Sequence, residues 1–210
     1  KQPTTIFPQG YGLGETWDAE LIKKVADHIA YEARYLYQSP KYRKGGLVLW
    51  SPNADLGRDI RWGRTEECYG EDPYLVGELG KQMITSLQKY NLVATPKHFA
   101  VYSIPIGGRD GKTRTDPHVA PREMRTLYIE PFRMAFQEAG ALGVMSSYND
   151  YDGEPITGSY HFLTEILRQE WGFKGYVVSD SEAVEFISNK HKVADTYEDG
   201  IAQAVNAGLN

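Results

Sequence analysis

The chain has 210 residues, of which 41% are hydrophobic, 12% aromatic and 24% charged. This composition is typical of a globular protein and excludes a disordered, collagen-like or membrane-embedded one. The 23 Lys and Arg residues against 28 Asp and Glu residues give a net charge of −5. No run of basic residues offers the clustered positive surface that nucleic acid requires, so we expect no nucleic-acid partner. No stretch of roughly 18 apolar residues exists, and we expect no membrane span.

Residues of the kinds that bind metals or phosphate groups are few and scattered. Cys68 is the only cysteine, which excludes an internal disulfide and any site needing several cysteine ligands. None of the five histidines stands four residues from another. Gly107-Gly108 lacks the following Lys and Ser/Thr of a phosphate-binding loop. We therefore predict neither a metal site nor a cofactor.

Five helical patterns and four short apolar runs alternate along the chain. Helices are expected at residues 18–37, 72–90, 121–139, 159–170 and 197–206, and strands at 47–50, 92–99, 143–148 and 175–180. Asp72-Pro73 provides an acidic cap with Pro at the first helical position. The continuous apolar run 47–50 is typical of a strand buried on both faces. Strict alternation of strand and helix predicts parallel strands joined by crossovers.

The positions of polar residues favour one kind of α/β fold. Three of the strands end in polar residues, namely Lys97-His98, Tyr148-Asn149 and Asp180. In a closed TIM-type (β/α)8 barrel all strand ends converge on one mouth, whereas an open sheet concentrates its site at one switch point. No linker divides the chain, so we predict that residues 1–210 form a single domain of the barrel type. The pattern predicts about four strand-helix units, whereas a complete barrel has eight, so we expect an incomplete barrel.

Two of these strand ends carry groups with catalytic or binding chemistry. Asp180 would lie in the barrel mouth as a nucleophile, a base or a ligand, or else it caps the helix that follows it. Lys97 and His98 offer the N–H donors that suit a polyhydroxylated or anionic ligand. The alternative for Lys97 is an ion pair with a neighbouring carboxylate.

A loop after the first strand is rich in arginine. Arg58, Arg61 and Arg64 surround Trp62, and three exposed arginines are typical of a solvated loop. A tryptophan is costly to leave in water, however, which predicts that the loop folds inward and brings one guanidinium group with it.

Several motifs follow one another in a characteristic order through nearly the whole chain. They are Phe7-Pro8 with Thr16-Trp17-Asp18, Arg58-Asp59-Ile60-Arg61-Trp62-Gly63-Arg64, Gly70-Glu71-Asp72-Pro73, Lys97-His98-Phe99, Met145-Ser146-Ser147-Tyr148-Asn149, Trp171-Gly172-Phe173-Lys174-Gly175 and Val178-Ser179-Asp180. Each motif is weak alone. Because the motifs follow one another in the same order as in that family, the sequence resembles the N-terminal barrel domain of glycoside hydrolase family 3, which contains β-glucosidases and β-xylosidases.

The resemblance implies a retaining, exo-acting β-glycosidase that hydrolyses β-linked oligosaccharides or aryl glycosides from the non-reducing end. It implies that Asp180 is the nucleophile, which forms a covalent glycosyl-enzyme that water then resolves. The other residues carried over by the resemblance bind substrate or line its pocket: Arg64, Lys97 and His98 on the sugar hydroxyls, Tyr148 beside the nucleophile, Met145 in the pocket wall and Arg114 as a further arginine, with Arg109 as its competitor.

Departures from the family pattern refine these expectations. The β-glucosidases of the family have Trp directly after the nucleophile. This chain has Ser181 there, which is closer to the pattern of the β-xylosidase branch. We therefore place xylosides ahead of glucosides. The family's acid/base residue usually comes from a following α/β sandwich domain, which we expect to be absent here and to belong to the parent protein. A sugar-binding carboxylate from the first strand is expected upstream of residues 4–7. The chain thus reads as the central portion of the catalytic barrel, and a periplasmic or secreted location is favoured over a cytoplasmic one.

Two alternatives remain open at this point. A minority branch, the β-N-acetylglucosaminidases, takes its acid/base from an Asp-x-His loop, which Asp116-Pro117-His118 could represent. Asp116 lies 19 positions after Lys97, however, and the Pro-Gly-rich element expected between them is missing. An Asp-Pro turn before the helix at Pro121 explains the motif about as well. The second alternative is a non-catalytic fragment that only binds carbohydrate.

Overall fold

The structure is a computed structural model, which describes residues 4–42, 45–103 and 115–210. Its α-helices are α1 (Gly10–Gly14), α2 (Ala19–Gln38), α3 (Pro73–Lys89), α4 (Pro121–Glu123), α5 (Glu130–Arg133), α6 (Ala183–Asn189) and α7 (Tyr197–Ala207). Its strands are β1 (Val48–Leu49), β2 (Val93–Ala94), β3 (Gly143–Ser146), β4 (Asp150–Tyr151), β5 (Glu154–Pro155) and β6 (Tyr176–Ser179). Across these described ranges, no helix has the length and apolar character needed to cross a membrane.

The predicted caps begin the two long helices of the first half. The carboxylate of Asp18 accepts a hydrogen bond from the backbone N–H of Leu21 at the start of α2. Asp72 does the same for Leu75 at the start of α3, with Pro73 at the first helical position. Each cap satisfies one of the N–H groups that a helix N-terminus leaves without a partner. The helices predicted at 18–37 and 72–90 are confirmed.

The helix predicted at 121–139 is present but irregular. Turns of π-helix, Met124–Tyr128 and Met134–Glu138, follow α4 and α5. Pro131 lies between them and has no N–H to donate to the preceding turn, which interrupts the regular hydrogen-bond ladder. The helix predicted at 159–170 is likewise a π-helical segment, His161–Glu170.

Four strands run parallel, as the alternation predicted. β1 pairs with β2, and β3 pairs with β6. A bridge between Phe99 and Ser146 joins the two pairs, supported by a hydrogen bond from the N–H of Met145 to the carbonyl of Pro96. The strand ends of β1, β2, β3 and β6 therefore succeed one another across the sheet. Within the described residues this sheet does not close on itself.

The expectation that the first strand is buried on both faces is wrong. Val48 is 44% exposed and Trp50 is 55% exposed. The physical reason is that β1 pairs only with β2 in the part of the chain that the structure describes, which leaves it at the edge of the sheet. A hairpin of β4 and β5, which the sequence analysis did not predict as strands, is joined by the predicted turn at Asp152-Gly153. Both turn residues have positive φ, 50° and 83°, as in a two-residue hairpin turn.

The centre of the core lies directly beside the predicted site. Phe99 is fully buried, and four aromatic rings meet it edge-to-face at centroid distances from 5.3 to 6.4 Å: Phe132, Phe136, Phe162 and Trp171. Aromatic rings in this arrangement contribute packing and quadrupole attraction. The backbone that follows Lys97-His98 is thereby anchored in the core.

Candidate active site

A cleft of about 310 Å³ lies where the parallel strands end. Its lining side chains come from β3 itself and from the segments after β1, β2, β3 and β6: Trp50, Arg64, Glu67, Lys97, His98, Met145, Tyr148 and Asp180. Six of the seven residues named from the sequence are in this set. The seventh, Arg114, lies outside the described residues, as does its competitor Arg109.

Asp180 stands at the end of β6 with its side chain 12% exposed. One carboxylate oxygen, Oδ1, accepts a hydrogen bond of 2.7 Å from the backbone N–H of Ser181. The expectation that Asp180 caps the following helix is wrong, because α6 starts after Glu182 and has no side-chain cap. Glu182 itself has a φ of 65°, a conformation that is costly for a residue with a side chain and is found at sites where the chain is held by its surroundings. The Asp180 carboxylate is thus directed into the cleft rather than used by the helix.

Tyr148 is the immediate neighbour of Asp180. Burial raises the pKa of the Tyr148 hydroxyl, and the charge of Asp180 and a hydrogen bond to it raise it further. The phenol therefore keeps its proton and can donate it to the carboxylate. Its ring packs against Phe186 and Tyr102 at centroid distances of 5.4 and 5.9 Å, and these contacts hold the hydroxyl at the cleft.

The arginine-rich loop folds inward, as we predicted from the tryptophan among its arginines. Trp62 is 2% exposed. The side chains of Arg58 and Arg61 are 37% and 71% exposed, whereas that of Arg64 is 12% exposed. Gly63, with a φ of 85°, supplies the left-handed turn that reverses the chain between Trp62 and Arg64. One guanidinium group therefore enters the cleft with the loop.

Glu67, which the sequence analysis missed, holds two cationic groups of the cleft. It accepts hydrogen bonds of 2.6 and 2.8 Å from Nε and Nη2 of Arg64. The ammonium group of Lys97 lies 3.7 Å from its Oε2, which is the carboxylate pairing considered as the alternative for that lysine. Burial, the largest single effect, raises the pKa of Glu67, but the hydrogen bonds and charge of Arg64, together with the charge of Lys97, outweigh burial and lower the pKa to about 2. The Arg-x-x-Glu spacing in a loop with a buried tryptophan was the signal that could have revealed it.

His98 lies between two carboxylates. Its side chain is 1% exposed, with Nδ1 2.8 Å from Oδ2 of Asp55 and Nε2 3.5 Å from Oδ2 of Asp180. Asp55 is also buried and does not line the cleft. It was not among the residues selected from the sequence, where it stands in a loop crowded with Asp and Arg.

Beneath the cleft, one aromatic ring connects the site residues. Tyr102 is fully buried. Its ring lies 5.0 Å from that of His98 and 5.4 Å from that of Trp62, and the guanidinium carbon of Arg64 lies 5.5 Å from the ring centroid. Together with its contact to Tyr148, these distances show that a single buried side chain supports the cleft from below.

The Asp116-Pro117-His118 motif lies elsewhere. Asp116 accepts hydrogen bonds from the backbone N–H groups of His118 and Gly153, at 3.0 and 2.8 Å, so its carboxylate organises the turns around it. The ring of His118 is 85% exposed, with Nδ1 3.5 Å from Asp116. Neither residue lines the cleft around Asp180. The geometry agrees with the Asp-Pro turn that was the alternative to an acid–base dyad.

The cleft thus combines one carboxylate, Asp180, with a set of fixed N–H donors. The other lining carboxylate, Glu67, is already engaged by Arg64. Charged donors of this kind hydrogen-bond hydroxyl oxygens strongly when they are partly shielded from water. Chemically, the arrangement can bind a polyhydroxylated ring and present a nucleophile to it.

Comparison with known proteins gives one family. Residues 1–210 match the family described as "Glycosyl hydrolase family 3 N terminal domain". A relative named "Beta-xylosidase" from Formosa agariphila is 36% identical over 99% of this chain and 28% of its own length. The "Periplasmic beta-glucosidase" of Salmonella typhimurium is 32% identical over 98% of the chain and 26% of its own length.

A solved structure gives the same result for the fold. The structure titled "GH3 exo-beta-xylosidase (XlnD) in complex with xylobiose aziridine activity based probe" superposes with a TM-score of 0.90 at 28% identity. It matches over 98% of this chain and 27% of its own. The chain therefore spans about a quarter of the length of the curated relatives it matches.

Proposed function

The chain belongs to the N-terminal domain of glycosyl hydrolase family 3, and on this premise we propose that it forms part of a retaining, exo-acting β-glycosidase. The observation that carries the proposal is the geometry of Asp180. Its carboxylate stands at the end of a strand, shielded from water, beside a neutral phenol and opposite fixed cationic donors. A nucleophile of a double displacement needs this combination of access and orientation.

The reaction proceeds in two displacements. A carboxylate oxygen of Asp180 attacks the anomeric carbon as the bond to the leaving-group oxygen breaks, and a proton passes to that oxygen from a general acid. Water then attacks the same carbon, loses its proton to the same residue acting as base, and releases Asp180 with net retention. The acid/base must be a second carboxyl about 5 Å from the nucleophile. We assign it to the C-terminal domain of the parent protein, because Glu67 is held ionised by Arg64.

Sugar binding falls to the donors around the nucleophile. Arg64, Lys97 and His98 line the cleft and hydrogen-bond the hydroxyl groups of the ring in the non-reducing subsite, Arg64 and Lys97 as donors and His98 through Nε2. Glu67 keeps the two cations apart and oriented, so their geometry is set before substrate arrives. Hydrogen bonds that strengthen as the ring flattens toward the transition state lower the barrier rather than only improving affinity.

The substrate proposed first is a β-xyloside, with a β-glucoside as the second candidate. Ser181, directly after the nucleophile, favours xylosides. Relatives at 32 to 37% identity carry both names, β-xylosidase and β-glucosidase. Hydrolysis of aryl β-D-xyloside and aryl β-D-glucoside, compared by kcat/KM, ranks the two candidates. Release of N-acetylglucosamine from its aryl glycoside, lost on substitution of Asp116 or His118, would favour the β-N-acetylglucosaminidase alternative instead.

The wider context of the cleft is also a proposal. The order of β1, β2, β3 and β6 across the sheet and the similarity to family structures support a partial TIM-type barrel whose mouth is this cleft. The similarity to the periplasmic β-glucosidase of Salmonella typhimurium supports a periplasmic or secreted location. Fractionation of the native host, with antibody detection in medium, periplasm and cytoplasm, tests the location.

The nucleophile assignment is tested with Asp180→Asn in the full-length protein. Asp59→Asn is the matched control, because Asp59 pairs with the exposed Arg61 and does not line the cleft. We expect Asp180→Asn to lower kcat by at least about a thousandfold, since the covalent step is lost, and Asp59→Asn to stay within about twofold. A 2-deoxy-2-fluoro aryl glycoside should add one glycosyl group to the wild type on the peptide that contains Asp180. Normal turnover by Asp180→Asn would refute the assignment. Sugar binding by the wild type without any turnover would favour a non-catalytic role.

A further inference from the structure

A buried carboxylate lies behind His98, on the side of the ring that faces away from the cleft. Asp55 has a side chain 2% exposed, and its Oδ2 lies 2.8 Å from Nδ1 of His98. The backbone N–H of His98 also donates to both oxygens of this carboxylate, at 3.3 Å. Asp55 thus contacts the histidine at its backbone and at its ring.

These contacts determine which ring nitrogen carries the proton. An ionised carboxylate can only accept hydrogen bonds. Nδ1 of His98 must therefore be the donor to Asp55, and Nε2 is left as the nitrogen that faces Asp180, 3.5 Å away. In neutral imidazole the assignment of the proton to one nitrogen makes the other an acceptor, so a single neighbour decides the chemistry at the cleft.

Asp55 is itself held in place. Its backbone N–H donates to Oδ1 of Asn53 at 2.8 Å, and the ring of Tyr102 packs against that of His98 at 66° and 5.0 Å. The imidazole is therefore bounded by the carboxylate at Nδ1 and by an aromatic ring on its side. A rotation of the ring would place a carbon against Asp55 and remove the ring N–H donor from the buried carboxylate.

We propose that Asp55 is a positioning residue of the glycosidase site, which acts through His98 by holding the proton on Nδ1 and directing Nε2 to Asp180 and the sugar. The inference rests on the proposed function. It adds a residue that does not touch the substrate and was not selected from the sequence. A comparable carboxylate behind a catalytic imidazole fixes the tautomer in serine hydrolases, where the Asn variant is correctly folded and much less active.

Kinetics in the full-length protein give the first test. Asp55→Asn removes the charge and one of the two acceptor oxygens with little change in shape. We expect kcat/KM for the aryl xyloside to fall by about 10- to 100-fold, as for other outer partners of a site histidine. Asp59→Asn, in the same loop and paired with the exposed Arg61, should change it by less than about twofold.

A double-mutant cycle separates action through His98 from a purely structural role. If Asp55 acts through the imidazole, Asp55→Asn should cost less than about threefold when His98→Gln is already present. If the costs of the two substitutions multiply, the proposal is overturned, because Asp55 then supports the site by another route.

Nitrogen NMR of the histidine rings tests the proposal without any activity. Long-range ¹H–¹⁵N spectra of the wild type should show a proton on Nδ1 of His98, with the signal assigned by its loss in His98→Gln. In Asp55→Asn the proton should move to Nε2 or distribute between the nitrogens. A wild-type ring with its proton on Nε2 and bare Nδ1 would overturn the inference, even if Asp55→Asn failed to fold. A wild type without glycosidase activity would instead overturn the proposed function and leave this measurement valid.

Discussion

Removing the charge of Glu67 is the sharpest single perturbation that the cleft allows. Glu67→Gln keeps the length of the side chain but cannot satisfy the two N–H groups of Arg64, which now donate to Glu67 at 2.6 and 2.8 Å. It also removes the carboxylate that lies 3.7 Å from the ammonium of Lys97. Both cations then lose the partner that orients them.

The pKa of Glu67 gives the size of the effect on stability. Against the opposing effect of burial, Arg64 and the nearby Lys97 lower that pKa from 4.5 to about 2, and a shift of this size corresponds to roughly 3 kcal/mol. The side chain is 31% exposed, so solvent screening reduces the expected loss of unfolding free energy to about 1–2 kcal/mol. The effect on activity should be larger, because a displacement of about 1 Å in a binding group can cost 10²-fold in rate.

The assay compares Glu67→Gln with Glu130→Gln in the full-length protein. Glu130 is the matched control, since it forms an i,i+3 pair with Arg133 at 2.5 Å and is exposed to a similar extent, but does not line the cleft. We expect kcat/KM on the aryl glycoside to fall by about 10- to 100-fold in Glu67→Gln and to stay unchanged in Glu130→Gln. Equal kcat/KM in the two variants, with Glu67→Gln correctly folded, would refute the claim that Glu67 orients the cations of the cleft.

Three further predictions concern pH, packing and the thiol. The stabilisation from Glu67 should be complete above its ordinary pKa of 4.5 and be lost as pH falls toward about 2. The unfolding free energies of wild type and Glu67→Gln should therefore converge as pH falls over that range. A difference that stays constant with pH would contradict the assignment. Phe99→Ala should lower the unfolding free energy measured in urea by about 3–5 kcal/mol because it empties the centre of the aromatic core, whereas a loss below about 1 kcal/mol would show that the core collapses around the cavity. Cys68 is buried and its thiol pKa is raised by burial, so a thiol reagent should label it only on unfolding; rapid labelling of the native protein would contradict this.

The residues of the cleft were predictable where a local sequence pattern indicates their position. Asp180, Lys97-His98 and Tyr148 each follow a strand, and parallel strands place their ends on one edge. Arg64 was predictable as one member of a set of three, because the neighbouring Trp62 had to be buried. Which of the three arginines enters the cleft depends on the turn at Gly63, which only the folded loop shows.

The partners of those residues were not predictable. Asp55 and His98 are 43 positions apart. Glu67 differs from Glu66 only in its i+3 spacing from Arg64, and that spacing does not show that the pair lies in the cleft. A carboxylate becomes a site residue when it is buried against a particular cation or imidazole, and burial depends on how the loops cross. The exposed edge of β1 was missed for the same reason, since an apolar run does not tell whether a strand has one neighbour or two.

The sequence by itself determined the alternation of helices and strands, the parallel pairing and the family, because these depend on periodicity, caps and motif order along the chain. Only the tertiary structure decided that Glu67 holds Arg64 and Lys97, that Asp55 stands behind His98, and that the Asp180 carboxylate is free of the helix cap. The physical reason is that a hydrogen bond between side chains distant in the sequence is made or lost when the donor–acceptor distance changes by a few tenths of an ångström. Strand register and loop packing set those distances, and no local pattern encodes them.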